Sequence, residues 1–245
     1  MGNGIGLVFM EQTKHRQLGP SDQVRGRIPP PVELEVDMEL PQVDLPRPDE
    51  VEIGRITLRD AIERRRSVRD YLKAPLSLEE LSCLLWCTQG VKEVVQGICT
   101  IRTVPSAGAR HAFETYLLVN NVTGLSPGLY RFLATRHSLV RLSGEKQPAD
   151  RVVHACFGQD FVRTGAVTFI WTAVAYRMTW RYGERGYRYI HLDAGHVCQN
   201  LYLSALSIGC GACAIAAFDD DEMNRILEID GKDHFTVYLC SVGKV

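Results

Sequence analysis

The chain has 245 residues, 45% hydrophobic and 23% charged, which is enough to bury a substantial core. A formal net charge of −1 exerts no overall pull towards nucleic acid or an anionic membrane, although a local basic cluster can still bind phosphate. The opening MGNGIGLVFMEQTKHR lacks a basic n-region, and the apolar stretches 166–175 and 208–218 are shorter than the roughly 20 residues a bilayer requires, so the sequence reads as cytoplasmic.

Residues 1–50 are expected to form an arm that wraps the body. Pro29, Pro30, Pro31, Pro41, Pro46 and Pro48 exclude long regular elements. Val32, Leu34, Val36, Met38 and Leu40 alternate with mostly acidic neighbours, which suits a short extended piece. A globular domain is expected over 51–245. Thr57 is placed to cap a helix running to about Arg65, with Leu58, Ala61 and Ile62 on its apolar face. Ser77 and Glu80 form a capping-box pattern ahead of Leu81, Leu84 and Leu85. Strands are expected at 115–119, at 129–132 after a Ser126-Pro127-Gly128 turn, and at 138–142. The segment 166–174 is apolar on both faces and reads as a central strand.

A long helix is expected over 189–208. Ile190, Ala194, Val197, Leu201, Ala205 and Ile208 recur at helical spacing, and Leu192, Leu203 and Leu206 make the other face apolar too. Such a helix is buried, here between subunits. Gly209 ends it, and 210–217 reads as a strand. Asp219 or Asp220 caps a short helix carrying Met223, Ile226 and Leu227, and 235–242 is the last strand. Strands and helices mix without strict alternation, so the fold class is α+β.

Three constellations carry candidate chemistry. Arg64-Arg65-Arg66-Ser67-Val68-Arg69 closes the first globular helix. It is either a solvated helix end or a phosphate cradle, since guanidiniums bind phosphate in bidentate fashion and a serine adds a neutral contact. Thr103-Val104-Pro105-Ser106-Ala107-Gly108-Ala109 is an ordinary loop, or one whose small residues let backbone approach a flat ligand. Ala214-Ile215-Ala216-Ala217-Phe218 is a packed strand, or a strip with room for a planar ring. Other groups carry less. Cys210 and Cys213 point to opposite faces of a strand and lack a second ligand pair. His191 and His196 diverge on a helix, so no metal is expected from them with Asp193. The eight cysteines read as reduced core residues. No G-x-G-x-x-G motif precedes a helix, and the acidic run 219–222 suits a helix start better than a calcium loop.

Seven motifs, RRRSVRDY, LSLEELSCLLWCTQGV, RTVPSAGA, LSPGLYRF, RYGERGYRY, LDAGHVCQNLYLSA and IAAFDDDE, occur in an order that resembles the nitroreductase superfamily, nearest its SagB/ThcOx-type dehydrogenase branch. The likeness spans nearly the whole chain. It implies a mostly antiparallel central sheet flanked by helices and an intertwined, obligate homodimer with two FMN sites at the interface. Matched by motif, Arg65, Arg66 and Ser67 would hold the FMN phosphate and ribityl chain, and Arg69 would lie near the pyrimidine edge, where charge stabilises the reduced ring. Pro105, Ser106, Ala107 and Gly108 would come from the other subunit, and Ile215, Ala216 and Ala217 would run along the ring.

The sequence departs from that pattern in places. Ala216 stands where glycine is usual, and Arg110-His111-Ala112 follows the PSAGA motif in place of Leu-Tyr-Pro, which implies a more basic pocket. Only Lys244 is available as the closing cation for the phosphate. The catalytic Lys-Tyr pair of azoline-oxidising members is here Arg181-Tyr182; arginine stays protonated and is no general base, while Tyr182 can donate or accept a proton. The expected function is FMN-dependent hydride transfer in ping-pong fashion, with NAD(P)H as donor and a small molecule as acceptor. Two alternatives are an azoline-type peptide dehydrogenase and a non-catalytic flavin-binding protein.

Overall fold

Strands that are apolar on both faces need cover on both sides, and the helices of this chain supply it. The computed structural model describes residues 4–51, 54, 56–142 and 148–245. The strands are β1 (Gln42–Asp44), β2 (Val91–Val95), β3 (Cys99–Arg102), β4 (Phe113–Val119), β5 (Gly128–Leu133), β6 (Ser138–Arg141), β7 (Val167–Val174), β8 (Cys210–Ile215) and β9 (His234–Lys244). The helices are α1 (Ile5–Gln12), α2 (Leu58–Arg64), α3 (Leu78–Gln89), α4 (Pro148–Ala155), α5 (Phe161–Thr164), α6 (Ala175–Tyr182), α7 (Gly186–Ser207) and α8 (Asp220–Ile226). Seven strands form one sheet in the order β1-β6-β5-β4-β7-β9-β8, and every neighbouring pair is antiparallel. Strands β2 and β3 make a separate hairpin.

Side-chain alternation divides the core in two. From the central strands, Phe113, Leu117, Val119, Val167, Phe169, Trp171 and Ala173 pack with α3, α6 and α7. Tyr116, Leu118 and Ile170 point the other way, against α4, α5 and α8. Helix starts follow local chemistry. Thr57 Oγ1 accepts the Asp60 N–H at 3.1 Å, Ser77 and Glu80 form a reciprocal capping box, and Asp219 accepts the Glu222 N–H at 2.9 Å. Such caps are worth about 1 kcal/mol each.

Several elements differ from the sequence reading. Helix α7 begins at Gly186 rather than at 189, and β8 stops at Ile215 rather than at 217. Residues 32–40 form no strand; the arm's strand is β1, which adds to the sheet edge beside β6. The arm also holds the helix α1, on which Ile5, Leu7, Val8 and Met10 are exposed. The β2–β3 hairpin and helices α4, α5 and α6 were not anticipated.

A buried ion network straps the arm to the body. Glu114 on β4 binds Arg131 Nη2 at 2.9 Å and Arg177 Nη2 at 2.5 Å. These arginines donate in turn to the carbonyls of Leu34 (2.6 Å), Glu35 (2.9 Å) and Pro31 (2.8 Å). Burial opposes ionisation of Glu114, but Arg177, Arg131 and the Leu34 N–H together hold its carboxyl below the usual range. Trp180 Nε1 donates to the Arg27 carbonyl at 3.0 Å, and Arg185 Nη1 to the Thr13 carbonyl at 2.9 Å. No helix among the described residues is long and apolar enough to cross a membrane.

Candidate active site

The segment after α2 lies along the exposed edge of β8. Ser67 bridges Ala212 in parallel, and the Val68 N–H donates to the Ala212 carbonyl at 2.9 Å. The approach is so close that a Cβ on Gly211 would meet Val68 Cβ at 2.7 Å, so glycine is required there. This docking carries the basic run to the C-terminal half of α7. The Arg65 guanidinium stands 5.2 Å from the centre of the Tyr202 ring, and Arg69 stands 5.7 Å from that of Phe161. Ser67 Oγ lies 3.0 Å from the Tyr202 hydroxyl, which accepts the Ala214 N–H at 2.8 Å. A cavity of about 390 Å³ opens here, lined by Arg64, Arg66, Val68, Tyr202, Leu206 and Gly211 among others. Among the described residues, Arg64, Arg65, Arg66 and Arg69 have no carboxylate partner. Some surface arginines elsewhere do, Arg59 taking Glu63, Arg163 taking Asp150 and Arg225 taking Glu222, while the scattered Arg136, Arg141 and Arg181 have none among the described residues; what sets the run apart is that its four lie together in the sequence.

A second cluster forms at the N-terminal half of α7. Asp193, buried on that helix, accepts the Ser106 hydroxyl at 2.5 Å and the Ala107 N–H at 3.3 Å. Ser106 Oγ accepts the His111 N–H at 2.9 Å, which closes the loop on itself. Burial raises the Asp193 carboxyl above its ordinary value, and those hydrogen bonds oppose the rise. Gly108 has φ +57, and a Cβ there would run into the Tyr182 hydroxyl and lie 2.9 Å from Arg181 Nε. Tyr182 is half-buried and packs edge-on against Tyr189 at 4.8 Å, while Arg181 is exposed. Arg185 Nε donates to the Tyr189 hydroxyl at 2.7 Å.

The residues singled out in the sequence thus fall into two groups. Arg65, Arg66 and Ser67 gather by Tyr202, with Arg69 set apart against Phe161; Pro105, Ser106, Ala107 and Gly108 gather with Arg181 and Tyr182 by Asp193. Asp193 and Tyr202 are about 14 Å apart along the helix at 1.5 Å per residue. Ala216 and Ala217 are exposed just past β8, whereas the Ile215 side chain is buried in the α4/α8 core and offers only its backbone to the strip. Lys244 belongs to neither group: its ammonium is bound by Glu80 and by the Ile208 carbonyl at 3.0 Å. Cys210 and Cys213 enter opposite cores, and both are free thiols. Sequence reasoning missed Tyr202 and the anchoring role of Asp193. The one available signal for Tyr202 was a hydroxyl on an otherwise apolar helical stripe, which needs a partner when buried.

Residues 62–244 match the Nitroreductase family. The chain belongs to the nitroreductase family. It is similar to the candidate nitroreductase MJ1384 of Methanocaldococcus jannaschii, 39% identical over 193 residues that cover 79% of this chain and 93% of that one. It also resembles the trifolitoxin-processing protein TfxB of Rhizobium leguminosarum bv. trifolii, 26% identical over 64% of this chain, though it spans only 46% of that relative. Among solved structures, a candidate nitroreductase from Ralstonia eutropha JMP134 superposes with a TM-score of 0.69 at 24% identity, covering 89% of this chain and 94% of that one, which shows the shared fold. As a nitroreductase-family protein, the chain is an oxidoreductase built on an antiparallel sheet flanked by helices.

Proposed function

We propose that this protein is an FMN-dependent oxidoreductase, with Arg65, Arg66 and Ser67 gripping the phosphate of the flavin. The observation that carries the reading is the set of guanidiniums that no carboxylate among the described residues neutralises, beside a cavity. A phosphate dianion satisfies that donor set: each guanidinium offers a planar fork, and the serine adds a hydroxyl. Bound FMN supplies a ring that takes up two electrons and a proton from one substrate and returns them to another.

The chain's own residues bind, orient and polarise. Arg69, beyond Ser67, contributes positive charge where the ring becomes negative on reduction. The exposed Ala216 and Ala217 leave a shallow strip free of bulky side chains. The Pro105–Gly108 loop reaches the ring from a second copy of the chain. This supports a homodimer, because in one chain the loop and the cradle occupy separate stations on α7. Tyr182 can hold or release a proton beside the substrate; Arg181, always charged, acts only by its field.

NAD(P)H as donor with a small electron-poor acceptor is the first reading. The likeness to TfxB favours a second, in which a peptide is oxidised, although arginine in place of the usual lysine leaves that chemistry without its base. The test is anaerobic addition of NADH and NADPH to the flavin-loaded protein. Bleaching of the flavin by either supports the reductase. Bleaching only by a heterocyclic peptide supports the dehydrogenase, and no bleaching by any donor contradicts both.

A further inference from the structure

We propose that Tyr202 is a positioning residue that fixes Ser67 as a hydrogen-bond donor to the flavin phosphate. The inference rests on the FMN reading above and adds a residue to it. It follows from counting hydrogens. The Tyr202 oxygen accepts the Ala214 N–H at 2.8 Å, and that amide has no hydrogen to spare for anything else. The hydroxyl hydrogen of Tyr202 then has a single acceptor among the described residues, Ser67 Oγ at 3.0 Å. Ser67 therefore accepts on its inner side, and its own hydrogen is left pointing outward from an exposed position. With the phenol taking one of its acceptor sites, the serine keeps its own hydrogen free to donate, which suits an anionic oxygen. The relay runs from the backbone of β8 through α7 to the cradle, so one phenol ties together the strand at the ring end and the serine at the phosphate end. Burial raises the Tyr202 phenol above its ordinary value, so the proton that drives the relay stays in place at neutral pH.

The test measures dissociation constants of the stripped protein for FMN and for riboflavin, which lacks the phosphate, by quenching of flavin fluorescence. The variants are Tyr202→Phe, Ser67→Ala and the double substitution. Tyr202→Phe removes the neutral bond that orients Ser67 and is expected to weaken FMN severalfold, up to about tenfold, and riboflavin by less than about twofold. Ser67→Ala alone is expected to give the same FMN-selective loss, and adding Tyr202→Phe to it to cause little further loss. Equal weakening of both ligands, or a Tyr202→Phe effect that persists without Ser67, would mean that the phenol only packs, and would overturn the proposal. If Tyr202→Phe does not fold, Ser67→Ala still decides: a loss shared equally by FMN and riboflavin overturns it. A wild-type protein that binds neither flavin removes the FMN reading and this inference with it. Tight wild-type FMN binding with an unchanged ligand ratio in the variants removes the inference alone.

Discussion

Four guanidiniums within six residues repel one another unless an anion joins them, and the protein supplies none among its described residues. Charge-assisted hydrogen bonds are worth about 1.5–3 kcal/mol each, so Arg65→Ala is expected to weaken FMN binding by roughly 10- to 100-fold. Arg59→Ala, on the same helix but paired with Glu63, serves as a control that should leave the affinity within about twofold. Isothermal titration of both variants checks this, and the affinity of the wild type should fall as salt rises. The basic run was legible because its chemistry is contained in six consecutive residues. The role of Tyr202 was not: its partner Ser67 lies 135 positions away, and in the sequence Tyr202 is only one more member of an apolar helix. Asp193 was weighed as a metal ligand with two histidines; its actual partner Ser106 is 87 positions distant.

Helix α7 is the spine of the site, with the PSAGA loop hung from its first half and the arginine cradle leaning on its second. The loop's shape depends on Gly108, which combines a left-handed backbone with contact against Tyr182. Gly108→Ala is expected to cost on the order of 1–3 kcal/mol of stability in urea unfolding, from backbone strain and collision together. Removing the obstructing hydroxyl with Tyr182→Phe should make the same substitution cheaper, and equal costs in both backgrounds would show that the contact is immaterial. Elements governed by local rules were readable. The Thr57, Ser77 and Asp219 caps act within three residues, and β7 is apolar on both faces because helices cover the sheet on each side of it. The β2–β3 hairpin was not readable. Its strand Val91–Val95 is mostly exposed, and its turn places Gln96 as well as Gly97 in the left-handed region, a turn more often announced by Asn-Gly. Helix α6 escaped notice because it follows β7 with no intervening loop.

Across the whole molecule, buried basic groups set the response to acid. Burial, reinforced by nearby arginines, lowers His111 to about 3, and burial lowers His234 to about 4. Because both folded values lie below the ordinary 6.5, the stability they contribute is complete above that pH and is lost as pH falls towards those values. The free energy of unfolding should therefore drop between pH 7 and 5 by on the order of 1 kcal/mol or more for each histidine, and His234→Gln should flatten the slope. An unchanged slope in that variant would show that His234 is not the group titrating. The ion network around Glu114, which clamps the arm, weakens lower still, once that carboxyl takes up a proton.

The central claim is that two copies of this chain share their flavins, the cradle coming from one and the loop from the other. Sedimentation velocity of the stripped protein with added FMN, followed at the flavin's visible absorbance, tests it most directly. The account predicts flavin moving with a particle of about twice 27.5 kDa, at one FMN per chain. Flavin left behind at the meniscus, or carried by a single 27.5 kDa chain, would contradict it.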